Sequence, residues 1–149
     1  MPEFEYQNIE AWNTAIRLAT AVGRLKIGSN LKAAADAHQH AFEQAGLACA
    51  LIAEGSQREG PGQVGMYRDA RGALAQARSW LHVLAAVMNE PGTVFGNELD
   101  LAEQASRQLG ALLRNIERGP AGPRPPQRGG PAGAPPRHGG PPRPPRGTP

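Results

Sequence analysis

The sequence predicts an all-α fold, an antiparallel up-down-up-down four-helix bundle, followed by a disordered tail rich in Pro, Gly and Arg. Three observations carry this. Apolar residues recur at helical spacing in four stretches of about 19 to 27 residues. Breaks stand between them at Gly28-Ser29-Asn30, Gly60-Pro61-Gly62 and Pro91-Gly92. No stretch alternates with the period of two that marks a strand, and after Arg118 the composition changes abruptly.

The first helix is predicted from about Asn8 to Lys26, with Ile9, Trp12, Ile16, Ala19 and Val22 on its inner stripe. Gly28-Ser29-Asn30 then ends it and offers a cap to the next. The second runs from about Leu31 to Glu54, and its small residues, Ala33, Ala34, Ala37, Ala41, Ala45 and Ala48 among them, let other backbones approach on more than one side. Gly60-Pro61-Gly62 is read as the clearest break, because proline restricts its predecessor. The third helix comes next, from about Gln63 to Asn89, with Val64, Tyr67, Ala70, Leu74, Ala77, Leu81, Leu84 and Met88 inward. The fourth spans about Asn97 to Arg118, with Leu99, Ala102, Leu109, Leu112, Leu113 and Ile116 inward. At 1.5 Å per residue such helices are roughly 28 to 40 Å long, and short connections make neighbours antiparallel. With only 2 Trp, 2 Tyr and 3 Phe, the core is lean, and self-association would bury more apolar surface.

The domain boundary falls at 118/119. Residues 119–149 contain 12 Pro, 8 Gly and 5 Arg, with no aromatic residue. Such a segment buries too little apolar surface to offset its ordering entropy, so disorder with polyproline character is expected. The whole chain is +3, yet the 13 acidic residues all lie in residues 1–118 against 11 Lys and Arg, 16 less the tail's 5. The body is therefore −2 and the tail +5. This excludes a uniformly cationic body that would wrap a polyanion, and leaves local stripes or the tail as the source of attraction.

Cys49 is the only cysteine, so no intramolecular disulfide forms, and its apolar helical setting predicts a buried, inert thiol. The N-terminal residues show no signal-peptide pattern and no apolar run reaches about 20 residues. A soluble cytoplasmic protein without a membrane partner is the expectation.

Local motifs add a resemblance. Tyr6-Gln7-Asn8-Ile9-Glu10-Ala11-Trp12, Leu51-Ile52-Ala53-Glu54-Gly55-Ser56 and Tyr67 with Ala70, Gly72 and Leu74 resemble the four-helix bundle proteins that include the ribosomal-RNA intervening-sequence proteins and the accessory subunits of diversity-generating retroelements. Ser79-Trp80-Leu81-His82-Val83-Leu84 and Leu109-Gly110-Ala111-Leu112-Leu113 resemble the accessory subunits in particular. The resemblance covers about residues 6 to 117. It implies a ring-shaped homopentamer and, from the accessory subunits, binding of a reverse transcriptase and its template RNA. Leu51, Ala73 and Gln76 depart from the family's usual Asn, Ser and Glu.

Taken without the family, the motif residues have architectural roles. Gly55 can take positive φ to end or bend the second helix, Ser56 can cap the helix after it, and Gly72 permits close helix approach at a propensity cost of about 1 kcal/mol. Glu54 is expected to accept hydrogen bonds from nearby backbone or from Arg58. No acid, base or nucleophile accompanies it as acid–base catalysis requires, so no catalytic residue is assigned. His38 and His40, two apart, point to different sides of a helix, so neither a metal nor a cofactor is expected.

Arginine is the remaining signal. Arg68, Arg71 and Arg78 on the third helix, with Arg107, Arg114 and Arg118 on the fourth, recur at helical spacing and would form a basic band if the stripes adjoin. The competing reading pairs them with Asp69, Glu103 and Glu117 in solvent. The tail offers Arg124, Arg128, Arg137, Arg143 and Arg146 for salt-sensitive, sequence-indifferent contacts, without aromatics to stack on bases. Two functions are expected from these features: a non-enzymatic, nucleic-acid-associated accessory protein, or a protein–protein scaffold presenting several proline-rich tails.

Overall fold

In the computed structural model of the chain, residues 5–118 and residue 147 are described. The predicted disordered tail, with Arg124, Arg128, Arg137, Arg143 and Arg146, lies outside the described residues. A short 3-10 helix, Glu5–Asn8, leads into α1 (Glu10–Gly23), α2 (Lys32–Ser56), α3 (Gly60–Val87) and α4 (Gly96–Glu117). Consecutive helices pack together and α1 also packs on α4, which closes an all-α up-down bundle as the sequence predicts. Among the described residues no strand occurs, and no helix is long and apolar enough to cross a membrane.

Two boundaries differ from expectation. α3 begins at Gly60, not Gln63: Gly60 sits at φ +60°, Pro61 occupies the first turn, where a missing N–H breaks no intrahelical bond, and the true break is Gln57–Glu59. α1 stops at Gly23, short of Gly28-Ser29-Asn30, and Ser29 accepts a bond from the Leu31 N–H at 3.2 Å without making a side-chain cap for α2. At the other end of α3, Asn89 at φ 57° closes the helix. The Asn89 N–H reaches the Ala86 carbonyl and the Glu90 N–H the Ala85 carbonyl, the two bonds of a Schellman stop.

The predicted core holds best on α3, where Tyr67, Ala70, Leu74, Ala77, Leu81 and Leu84 are all buried. On α1 the stripe is turned about a quarter of the way round the helix. Ala11, Thr14, Ala15, Leu18 and Val22 face inward, Ile16 is exposed, and Trp12 is half-buried against Tyr6, ring centroids 5.0 Å apart. On α4, Leu101 and Ala105 join the core, while Leu99, Leu112 and Ile116 lie at its edge.

The α2–α3 seam is the most extensive in the bundle. The buried residues of α2 are Ala34, Ala37, Ala41, Ala45, Ala48, Cys49, Ile52 and Gly55, nearly all small, so neighbouring backbones can come close to it. Gly55 is one place of close approach. A Cβ there would stand 2.7 Å from the Tyr67 ring and 3.0 Å from Met66 Cβ.

Candidate nucleic-acid interface

Gly55 is helical, not a positive-φ terminator: the only positive φ angles among the described residues belong to Gly60 and Asn89. Its missing side chain makes room for Tyr67, and Gln63 Nε2 donates to its carbonyl at 3.1 Å. Ser56 does not cap α3; it is the last residue of α2 and its hydroxyl donates to the Ala53 carbonyl at 2.6 Å. Glu54 accepts from Arg58 at 2.6 Å one turn later, half-exposed, as expected. Gly72 is corrected as well. It faces outward, and nothing lies within 4 Å of the position its Cβ would occupy, so close approach within the chain is not its role.

Burial governs the two perturbed groups. Desolvation pushes the Cys49 thiol up to about 11, partly countered by a backbone hydrogen bond, and its Sγ lies 3.4 Å from the Ala45 carbonyl. Burial likewise raises the Tyr67 phenol, opposed by a hydrogen bond from Gln63. His38 contacts the Val22 carbonyl at 2.6 Å and ties α2 to the end of α1, while His40 stacks on Trp80 with centroids 4.4 Å apart.

The arginines divide by partner. Arg68 reaches across the α3–α4 seam to Glu117 at 2.8 Å, a pairing the competing reading anticipates. Arg71 and Arg114 do the opposite. A Cβ placed on Gly110 would find Arg114 Nη1 at 3.5 Å and Arg71 Nη1 and Cζ both at 3.8 Å. Both guanidinium groups thus overhang one glycine, and their Nη1 atoms are at most about 7.3 Å apart, the sum of those two distances. Two unit charges at that range repel by roughly 0.6 kcal/mol in water and about 2 kcal/mol at an effective dielectric of about 20. Among the described residues no ion pair joins either one to a carboxylate.

The seam's register extends the pattern. Arg68 meets Glu117, and three residues on, Arg71 meets Arg114. Seven residues further up α3 and seven back down α4 stand Arg78 and Arg107, about 10.5 Å along the helices. Arg107 is exposed and Arg78 half-buried, and neither has a carboxylate partner among the described residues. Arg118 is the residue capping α4, its N–H bonded to the Arg114 carbonyl at 3.0 Å, where a cation suits the helix dipole. The two stripes therefore adjoin at Arg71 and Arg114, and helical spacing carries Arg78 and Arg107 onto the same two faces seven residues further along.

A different surface lies over α2 and α3. Leu47 and Val83 are exposed there, Leu51 and Trp80 half-buried, and Gly72 and Gln76 line a groove of about 400 Å³ with Leu47 and Leu51. Gln44 Oε1, one turn from both His40 and Leu47, is buried with no hydrogen-bond partner. Helical periodicity alone misses this face, and its one signal in the chain is that Leu47, Leu51 and Val83 are apolar residues off the predicted inner stripes. No group of His, Cys, Asp and Glu among the described residues could hold a metal ion.

The fold defines the class, a four-helix all-α domain. No family model, curated protein or solved structure matches this chain.

Proposed function

We propose that this chain is a non-enzymatic, homo-oligomeric accessory protein that holds nucleic acid, with pentamers built from the bundle and RNA lying on the α3–α4 arginines. The observation that carries the reading is the arginine pair on this seam: Arg71 and Arg114 converge over Gly110 and take no carboxylate partner among the described residues, on a body whose net charge is −2. A solvated helix surface of ordinary design would interleave acids there, as it does at Arg68 and Glu117. Because the pair has no aromatic platform, it suits phosphates and not bases, and binding would be indifferent to sequence and steep in salt. The resemblance to retroelement accessory subunits makes a reverse transcriptase and its template RNA the proposed partners.

Self-association is supported by the α2–α3 outer face, where Leu47, Leu51, Trp80 and Val83 leave apolar surface in solvent and Gln44 lacks a donor. Joint replacement Leu47→Glu and Val83→Glu is expected to reduce the mass measured by analytical ultracentrifugation to that of one chain. An unchanged oligomer would remove this face from the assembly.

The test of the nucleic-acid reading is a salt series with a structured RNA. Replacing Arg71, Arg78, Arg107 and Arg114 by Gln should lower affinity at least 30-fold, and replacing the five tail arginines should lower it less. Loss of binding only with the tail arginines would make attraction a property of the tail. Absence of binding by the wild-type protein would favour the scaffold alternative, in which Pro123-Arg124-Pro125-Pro126 and Pro142-Arg143-Pro144-Pro145 capture a polyproline-binding partner.

A further inference from the structure

Resting on that reading, we infer that Arg71 and Arg114 form a two-pronged clamp for a single phosphate group over Gly110, and that position 110 is small because a side chain longer than that of alanine would occupy the space between the prongs. Three observations converge. The two guanidinium groups come from different helices and meet within 4 Å of one point, the position of the absent Cβ. Each lacks a carboxylate among the described residues, even though α4 carries Glu98, Asp100, Glu103 and Glu117. Gly110 is itself buried, so the prongs already cover the backbone at this point.

The separation fits an anion with two free oxygens. One oxygen accepting from both arginines at about 2.8 Å each can span nitrogens no more than about 5.6 Å apart. Two oxygens on one phosphorus extend that reach by the O···O width, about 2.5 Å, to roughly 8 Å with the same bonds. The upper bound of about 7.3 Å on the Nη1 separation falls inside that reach, so a group with two free oxygens can satisfy both prongs at any distance the geometry allows. A phosphodiester has two such oxygens, and so does a phosphate within a linear polyphosphate. Arg78 and Arg107, each seven residues and so about 10.5 Å along its helix from the clamp, favour an anion that repeats. Gly110 separates this from plain charge attraction. An Ala there makes ordinary contacts of 3.5 and 3.8 Å, whereas a Leu would fill the gap and splay the arginines while keeping both charges.

The full-length protein is titrated with a fluorescein-labelled RNA hairpin at several salt concentrations and, separately, with sodium tripolyphosphate by calorimetry. Arg71→Gln with Arg114→Gln should weaken the hairpin at least tenfold and flatten the log–log salt slope by about 1, for the one phosphate the pair neutralises. Gly110→Leu should weaken it at least fivefold at unchanged net charge, with the helical circular dichroism of each variant as the control for folding. Hairpin binding that falls with Arg78→Gln and Arg107→Gln but is indifferent to the Arg71/Arg114 pair overturns the clamp and leaves the nucleic-acid reading standing. Tripolyphosphate binding that requires Arg71 and Arg114, without hairpin binding, upholds the clamp and overturns the nucleic-acid reading. Binding of neither probe overturns both.

Discussion

The two long seams of α3 are built on opposite plans. Toward α2, Gly55 is packed on the Tyr67 ring, and the buried residues Ala37, Ala41, Ala45 and Ala48 of that helix are small enough to let neighbouring backbones come close. Toward α4, a buried glycine again faces a neighbour, but what overhangs it is two cations with no counter-charge among the described residues. Gly55 and Gly110 are both buried helical glycines, yet one lies under an aromatic ring and the other under two cations. A glycine inside a helix is therefore not a single signal. Its meaning lies in the groups that fill the space its side chain would have taken.

The sharpest way to break the contrast is to add a side chain at each glycine. Gly55→Leu drives a side chain into Tyr67 and Met66 and should destabilise the protein by about 3 kcal/mol, read as a lower urea midpoint. Alkaline pH attacks the same seam. The Cys49 thiol is raised from 9.0 to about 11, so between those values the folded state holds a proton that the unfolded chain releases. Stability falls as pH rises through that window, by an amount on the order of 2 kcal/mol, and Tyr67 adds a loss of the same sign above its ordinary range. Urea titrations at pH 8, 9.5 and 10.5 should show the decline, and Cys49→Ala should blunt its lower part.

Smaller effects separate the seams further. Gly110→Ala meets only ordinary contacts and gains helix propensity, so it should stabilise by about 0.5–1 kcal/mol, opposite in sign to Gly55→Leu. Arg68→Gln removes a partly exposed ion pair and should cost only about 0.2–1 kcal/mol, shrinking at high salt.

Much of this architecture is legible in the chain itself, for reasons particular residues make plain. On α3 the large residues Tyr67, Leu74, Leu81 and Leu84 all lie on one stripe, and the prediction and the structure agree there. On α1 two stripes compete. Ile9, Trp12 and Ile16 outweigh Ala11, Ala15 and Leu18 in size, but Trp12 is drawn aside onto Tyr6, so the smaller stripe faces the core. The arginine spacing is visible in the chain, whereas the convergence over Gly110 is not. That convergence depends on which faces of α3 and α4 meet and in what register, and neither can be deduced from the period of one helix. Pro61 misleads for a simpler reason: the same residue that breaks a helix interior is tolerated in its first turn.

On the proposed function, the arginines of the α3–α4 seam serve an anion and not the fold. Urea unfolding of Arg71→Gln with Arg114→Gln at low salt, beside the wild-type protein, tests this most directly. Relief of like-charge repulsion predicts a midpoint equal to or above the wild-type value, with the difference vanishing as salt is added. A midpoint lowered by the equivalent of more than about 1 kcal/mol would exceed the contribution of an exposed charge, and would show that these side chains serve the packing of the bundle instead.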